Sequence, residues 1–115
     1  MTARFEVTTS DEPGRVRVTL AGECDLAVSD RLTAALLSAV RQAPVVVVDL
    51  AALDFHDSSG VHSLITAHRE ARERGGRLEV VNPAGSVATV LDLTGVGALL
   101  SPNGTMRGAE HPGAG

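Results

Sequence analysis

The run VVVVDL, residues 45–50, constrains the fold of this 115-residue chain more than any other stretch. Four consecutive β-branched side chains are stiff at χ1 and crowd a helix, so they favour a strand. The run does not alternate with polar residues, as a strand with one wet face would. It reads as a central strand covered on both faces, the arrangement of parallel sheets with crossover helices. Parallel neighbours cannot be joined by a tight hairpin; they need a connection of a dozen or more residues. The segments flanking the run should then be helical.

Their periodicity agrees. From Val28 the apolar residues fall at Leu32, Ala35, Leu36, Ala39 and Val40, one face of an amphipathic helix. Asp25 or Ser29 is its N-cap, and Pro44 stops it. Beyond the run, Val61, Leu64, Ile65, His68 and Ala71 mark a second helical face. It ends at RERGG, with basic residues in the last turn and Gly75 available for a left-handed cap. RLEVV (77–81) is a further strand, broken by NP (82–83). GSVATVLDLTG (85–95) is a short third helix, and GALLS (97–101) is expected as a last edge strand. Upstream, FEVTT (5–9) and RVRVTLAG (15–22) alternate as half-buried strands around the turn DEPG (11–14), which makes a hairpin.

The expected order is ββαβαβαβ, a single α/β domain over residues 1–101. Its sheet is mixed and largely parallel, with right-handed crossover helices. Residues 102–115, PNGTMRGAEHPGAG, have almost nothing to bury and read as a disordered Gly/Pro-rich tail.

Composition removes several function classes. Two phenylalanines are the only aromatic residues, so the core must be aliphatic. No Trp or Tyr can stack on bases, and a formal net charge of −4 repels a phosphate backbone, so no nucleic-acid partner is expected. Cys24, the one cysteine, has no disulfide or metal-cluster companion; it reads as a small buried hydrophobe in a reducing compartment. No run approaches ~18 apolar residues. The N-terminus MTARFEVTTSDEPG also lacks an apolar signal core, so the expected location is cytoplasmic, away from membranes.

Sites in such sheets lie at the carboxyl ends of the strands. Two acidic loops fall there, GECDLAVSD (22–30) and DFHDSSG (54–60). A serine nucleophile needs a strained turn, a histidine base within reach, an orienting acid and an oxyanion hole. The G-x-S-x-G elbow is missing, and His62, three residues after Ser59, should point along its helix. No catalytic residue is assigned, and no enzymatic activity is expected. His56, Asp57 and His62 match no zinc or calcium spacing, so no metal is assigned and both histidines read as surface residues. GVG (95–97) and RGG (74–76) neither follow a strand nor open a helix, so no phosphate-bearing cofactor is expected. His68, on the apolar helix face, reads as a satisfied core histidine. Asp57 or Ser58 caps the second helix. Capping does not require two serines, a glycine and a further acid at Asp54. A hydroxyl at a helix N-terminus is a favourable place for phosphate, so a modifiable serine is physically sensible beside the plain capping role.

DFHDSSGVHSLITA resembles the phosphorylation-site motif of the anti-sigma factor antagonists, the anti-anti-sigma branch of the STAS-domain family. VTLAGECDLAVSDRLTAAL is similar to that family's G-E-L-D segment and first helix. GGRLEVVNPAGSVATVLDLTGV is similar to its fourth strand and short third helix. The resemblance spans residues 5–101 and implies a STAS-like fold, with no catalysis or cofactor of its own. By position it implies Ser59 as the phosphorylated serine, Asp57 as the acid beside it and Asp25 as the acid of the neighbouring loop. Asp25, Asp57, Ser58, Ser59, Gly60 and His62 are the partner-binding residues it implies.

The implied partner is an anti-sigma factor that is also an ATP-using serine kinase. The unphosphorylated form binds it and releases the sigma factor; phosphorylation abolishes binding, and a serine phosphatase restores it. Cys24 stands where relatives carry leucine, and His56 and His62 stand where they are often apolar or small, which bears on the partner's identity. The alternative within the same resemblance is a STAS scaffold or ligand-sensing module not tied to a sigma factor.

Overall fold

In a computed structural model, which describes residues 5–100, the β-branched run opens strand β3 (Val45–Phe55). This strand lies between β2 (Arg15–Cys24) and β4 (Arg77–Val81) and runs parallel to both. Strand β1 (Phe5–Glu12) pairs antiparallel with β2, completing a four-stranded sheet of order β1-β2-β3-β4. Helix α1 (Leu26–Gln42) crosses from β2 to β3, and α2 (Ser59–Glu73) crosses from β3 to β4. The two helices pack on each other and on the sheet face that carries Val18, Leu20, Val46, Val48, Leu50, Leu78 and Val80. That core is aliphatic, as two phenylalanines dictate. Val47 faces away from it and is nonetheless only 4% exposed, which accounts for the unbroken apolar run. On the same outer face the Arg17 guanidinium pairs with Asp49 at 2.9 Å, tying β2 to β3.

The α/β class and the mixed sheet agree with expectation; the last element does not. Residues 96–100 form a short helix, α4 (Val96–Leu100), after α3 (Gly85–Thr94), so the order is ββαβαβαα. Gly97 and Leu100 are buried while Ala98 and Leu99 are exposed, a spacing of three that a helix provides and a strand does not. Periodicity alone cannot separate strand from helix in so short an apolar run. The proposed tail, 102–115, lies outside the described residues.

A second correction concerns His68. It is buried on α2, yet its Nδ1 has no hydrogen-bond partner, so it is not the satisfied histidine expected from sequence. Burial, aided by the nearby Arg72 and Arg69 charges, pushes its pKa below the usual histidine value and so favours the neutral ring.

Strand β3 also runs further than the β-branched segment. Thr19 pairs with Asp49 but Ala21 with Ala52, so β3 accommodates one extra residue there, a β-bulge. Beyond it Gly22, Glu23 and Cys24 pair with Leu53, Asp54 and Phe55. The two strands therefore end side by side, and the two acidic loops leave the sheet together.

Candidate functional site

The loops are bonded to each other before either helix begins. The His56 N–H donates to the Cys24 carbonyl at 2.9 Å, and His56 Nε2 lies 3.1 Å from Glu23 Oε1. Asp25 is the N-cap of α1, its carboxylate accepting from the Ala27 N–H at 2.9 Å. Ser29, the other candidate, instead donates its hydroxyl to the Leu26 carbonyl.

At α2 the same choice falls to Asp57. Its Oδ1 accepts the Ser59 N–H at 2.9 Å and also the Ser59 hydroxyl. Its Oδ2 accepts the Leu26 N–H at 3.0 Å. One carboxylate thus serves the first turns of both helices, where N–H groups lack intrahelical partners. Ser58, at the cap position, makes no capping hydrogen bond. The Ser59 hydroxyl, then its N–H, with help from Leu26 and His56, hold the Asp57 carboxyl below the usual carboxylate range. The carboxylate thereby fixes the direction of the Ser59 hydroxyl.

Between α1 and α2 runs an open groove of about 430 Å³, with Leu26, Ser29 and Thr33 on one wall and Ser59, His62 and Thr66 on the other. Ser63 links the helices by hydrogen bonds to Thr33 (2.7 Å) and to the Ser29 carbonyl (3.2 Å). Of the residues expected from sequence, Asp57, Ser58, Ser59 and His62 line this groove, and Asp25 caps the helix beside it. Gly60 lies buried beneath: a Cβ there would approach the Phe55 ring to 2.4 Å, so glycine lets α2 start directly on that ring. Asp54 points elsewhere, accepting a hydrogen bond from Ser86 of α3 at 3.4 Å. Among the described residues, no cluster of three histidine, cysteine or acidic side chains forms a metal site.

Leu26 is a groove residue that the motif does not announce. It is 75% exposed at the start of α1, beside Ser59. The available signal was its phase: it lies seven residues before Thr33, on the polar stripe and not on the Leu32–Leu36 face.

Cys24 is fully buried at the end of β2, and burial, with the Asp57 and Asp25 carboxylates nearby, pushes its thiol up to about 11. Because the thiolate is the reactive form, the folded protein should resist iodoacetamide at pH 8 and react once unfolded in guanidinium. Rapid stoichiometric labelling without denaturant would show that this end of the sheet opens.

The chain is thus an α/β domain whose four-stranded mixed sheet carries Ser59 at a helix start on its carboxyl edge. Residues 7–101 match the family model described as Mlab, STAS domain, and the chain belongs to the STAS-domain family. It is similar to the anti-sigma factor antagonist SpoIIAA in its unphosphorylated form, at 27% identity and a TM-score of 0.68 over 82% of this chain and 83% of that one. It is also similar to the Bacillus cell fate determinant SpoIIAA in the phosphorylated form, at 26% identity and a TM-score of 0.64 over 82% and 86%. An anti-sigma factor antagonist from Mycobacterium paratuberculosis shares the fold at 22% identity, with a TM-score of 0.74 over 86% of each chain. No curated protein matches the chain.

Proposed function

We propose that this protein is an anti-sigma factor antagonist that works as a phosphoswitch. Its unmodified form binds an anti-sigma factor that is also an ATP-using serine kinase, and so releases the sigma factor. Phosphorylation of Ser59 ends that binding, and a serine phosphatase restores it. The chain itself binds and performs no catalysis. Asp25, Asp57, Ser58 and His62 build the contact surface around Ser59, buried Gly60 supports it from beneath, and exposed Leu26 adds an apolar contact.

The observation that carries this reading is the Ser59 hydroxyl, held by Asp57 at the first residue of α2 on the rim of the groove. First-turn N–H groups and the helix dipole accept the charge of a phosphate there. The relative SpoIIAA has been solved in both phosphorylated and unphosphorylated forms, which supports a switch of this kind.

In the transfer, Ser59 Oγ bonds to the γ-phosphorus of ATP while the bond to the β,γ-bridging oxygen breaks. ADP departs and the hydroxyl proton is released to solvent. Peptide mapping after incubation with the captured kinase and ATP should place one phosphate on Ser59, and Ser59→Ala should take none. Unchanged phosphorylation of Ser59→Ala would sink the assignment.

A further inference from the structure

Two adjacent hydroxyls stand in the motif, and their local sequence does not separate them. Folding does. Ser58 is exposed and makes no capping hydrogen bond. Ser59 is half-buried, and both its hydroxyl and its N–H donate to Asp57 Oδ1. The carboxylate is itself anchored, because Oδ2 accepts the Leu26 N–H from the first turn of α1 at 3.0 Å. We propose that Asp57 is the positioning residue that selects Ser59 over Ser58 as phosphoryl acceptor, holding the Ser59 hydroxyl in one rotamer from an anchor on α1. This rests on the phosphoswitch reading above.

Phosphoryl transfer leaves little covalent chemistry to side chains and depends on placement of the attacking oxygen. A serine side chain has three staggered wells, and a hydroxyl free to visit all of them spends only part of its time in line. The hydrogen bond to Asp57 engages the Ser59 proton and leaves its oxygen lone pairs for attack. Asp57 holds its proton affinity low, so the grip persists across neutral pH. Ser58 has no such anchor.

The test compares wild type, Asp57→Ala and Asp57→Asn with the kinase captured by the unmodified chain, using ATP and locating the phosphate by peptide mapping. Thermal unfolding of each variant checks that it folds. Asp57→Ala should lower kcat for Ser59 by ~30- to 100-fold, the scale of a misplaced attacking group. Because Asp57 also stands in the contact surface, KM should rise, but by less than kcat falls, and part of the phosphate should move to Ser58. Asp57→Asn keeps one acceptor oxygen and should recover part of both rate and site choice. A kinase-free measurement runs alongside: three-bond couplings should report one Ser59 χ1 rotamer in wild type and averaging in Asp57→Ala, with faster exchange of the Leu26 amide.

If wild type is modified at Ser59 and Asp57→Ala matches it in rate and site, the selection role is overturned and the phosphoswitch stands. If wild type is modified at neither serine, the phosphoswitch reading falls, and selection of an acceptor falls with it. A Ser59 rotamer equally averaged in wild type and Asp57→Ala overturns the positioning directly.

Discussion

Replacing Gly76 by alanine should destabilise the domain by roughly 3 kcal/mol, at the upper end of overpacking penalties. At about 4–8 °C per kcal/mol, the melting temperature should fall by roughly 12–24 °C. The reason is a close approach of two backbones. A Cβ on Gly76 would lie 2.1 Å from the Pro44 carbonyl oxygen, which also accepts the Arg77 N–H at 2.8 Å. This hydrogen bond joins the starts of β3 and β4. Relieving the overlap therefore moves a sheet edge and not a flexible side chain. Gly75, one residue earlier, is the control. It has φ +82 and nothing within 4 Å of a built Cβ, so alanine there meets only left-handed strain, about 1–2 kcal/mol. Urea unfolding of the two variants decides the order. A larger loss for Gly75→Ala would mean that the turn conformation, not the approach to Pro44, limits this corner.

The same pair of glycines shows what the sequence makes legible. A glycine after basic residues at a helix end announces a left-handed turn, and Gly75 takes it. Nothing local marks Gly76, because its neighbour Pro44 is 32 positions away and only the packed sheet brings them together. The strands and crossover helices were readable because period 2 and period 3.6 extend over many residues in β2, α1 and α2. Five apolar residues at 96–100 carry too short a period to tell the helix α4 from a strand. Around Ser59, the motif and its helix-start position were legible, as was the need for a cap. The choice of Asp57 over Ser58, and its second bond to Leu26, were not: Leu26 and Asp57 are 31 positions apart, and their contact depends on β2 and β3 ending in register.

Phosphorylation of Ser59 should weaken binding of the kinase partner at least a hundredfold while leaving the domain folded. The added group carries about −1.5 to −2 charges at neutral pH. In the free protein that charge remains in water at the start of α2, where the helix dipole and first-turn N–H groups favour it. The hydroxyl proton that bonded Asp57 is gone, so the carboxylate loses one of its three partners but keeps the Leu26 N–H. The core face of α2, where Leu64 and Ala67 are fully buried, points away from the phosphate and has no reason to come apart.

Docking reverses the balance. A surface closing over Leu26 and Ser59 must strip water from a dianion that already stands beside Asp57. The repulsion from Asp57 exists before binding as well, so it opposes docking only through the drop in dielectric; the desolvation of the phosphate is the larger cost. Effective penalties of several kcal/mol per buried ion exceed the ~2.7 kcal/mol that a hundredfold loss requires. An arginine cluster on the partner would cancel the penalty, so the prediction also implies that the kinase presents no such cluster to Ser59.

Ser59→Asp carries about half the charge and should weaken binding less. Ser59→Ala should bind and stay bound. Calorimetry with the captured kinase and nucleotide, on unmodified and Ser59-phosphorylated protein, gives the affinities; thermal unfolding of the same samples reports the fold. Equal affinities would remove the switch. Weaker binding with a collapsed melting transition would place the switch in unfolding of the antagonist and not at its docking surface.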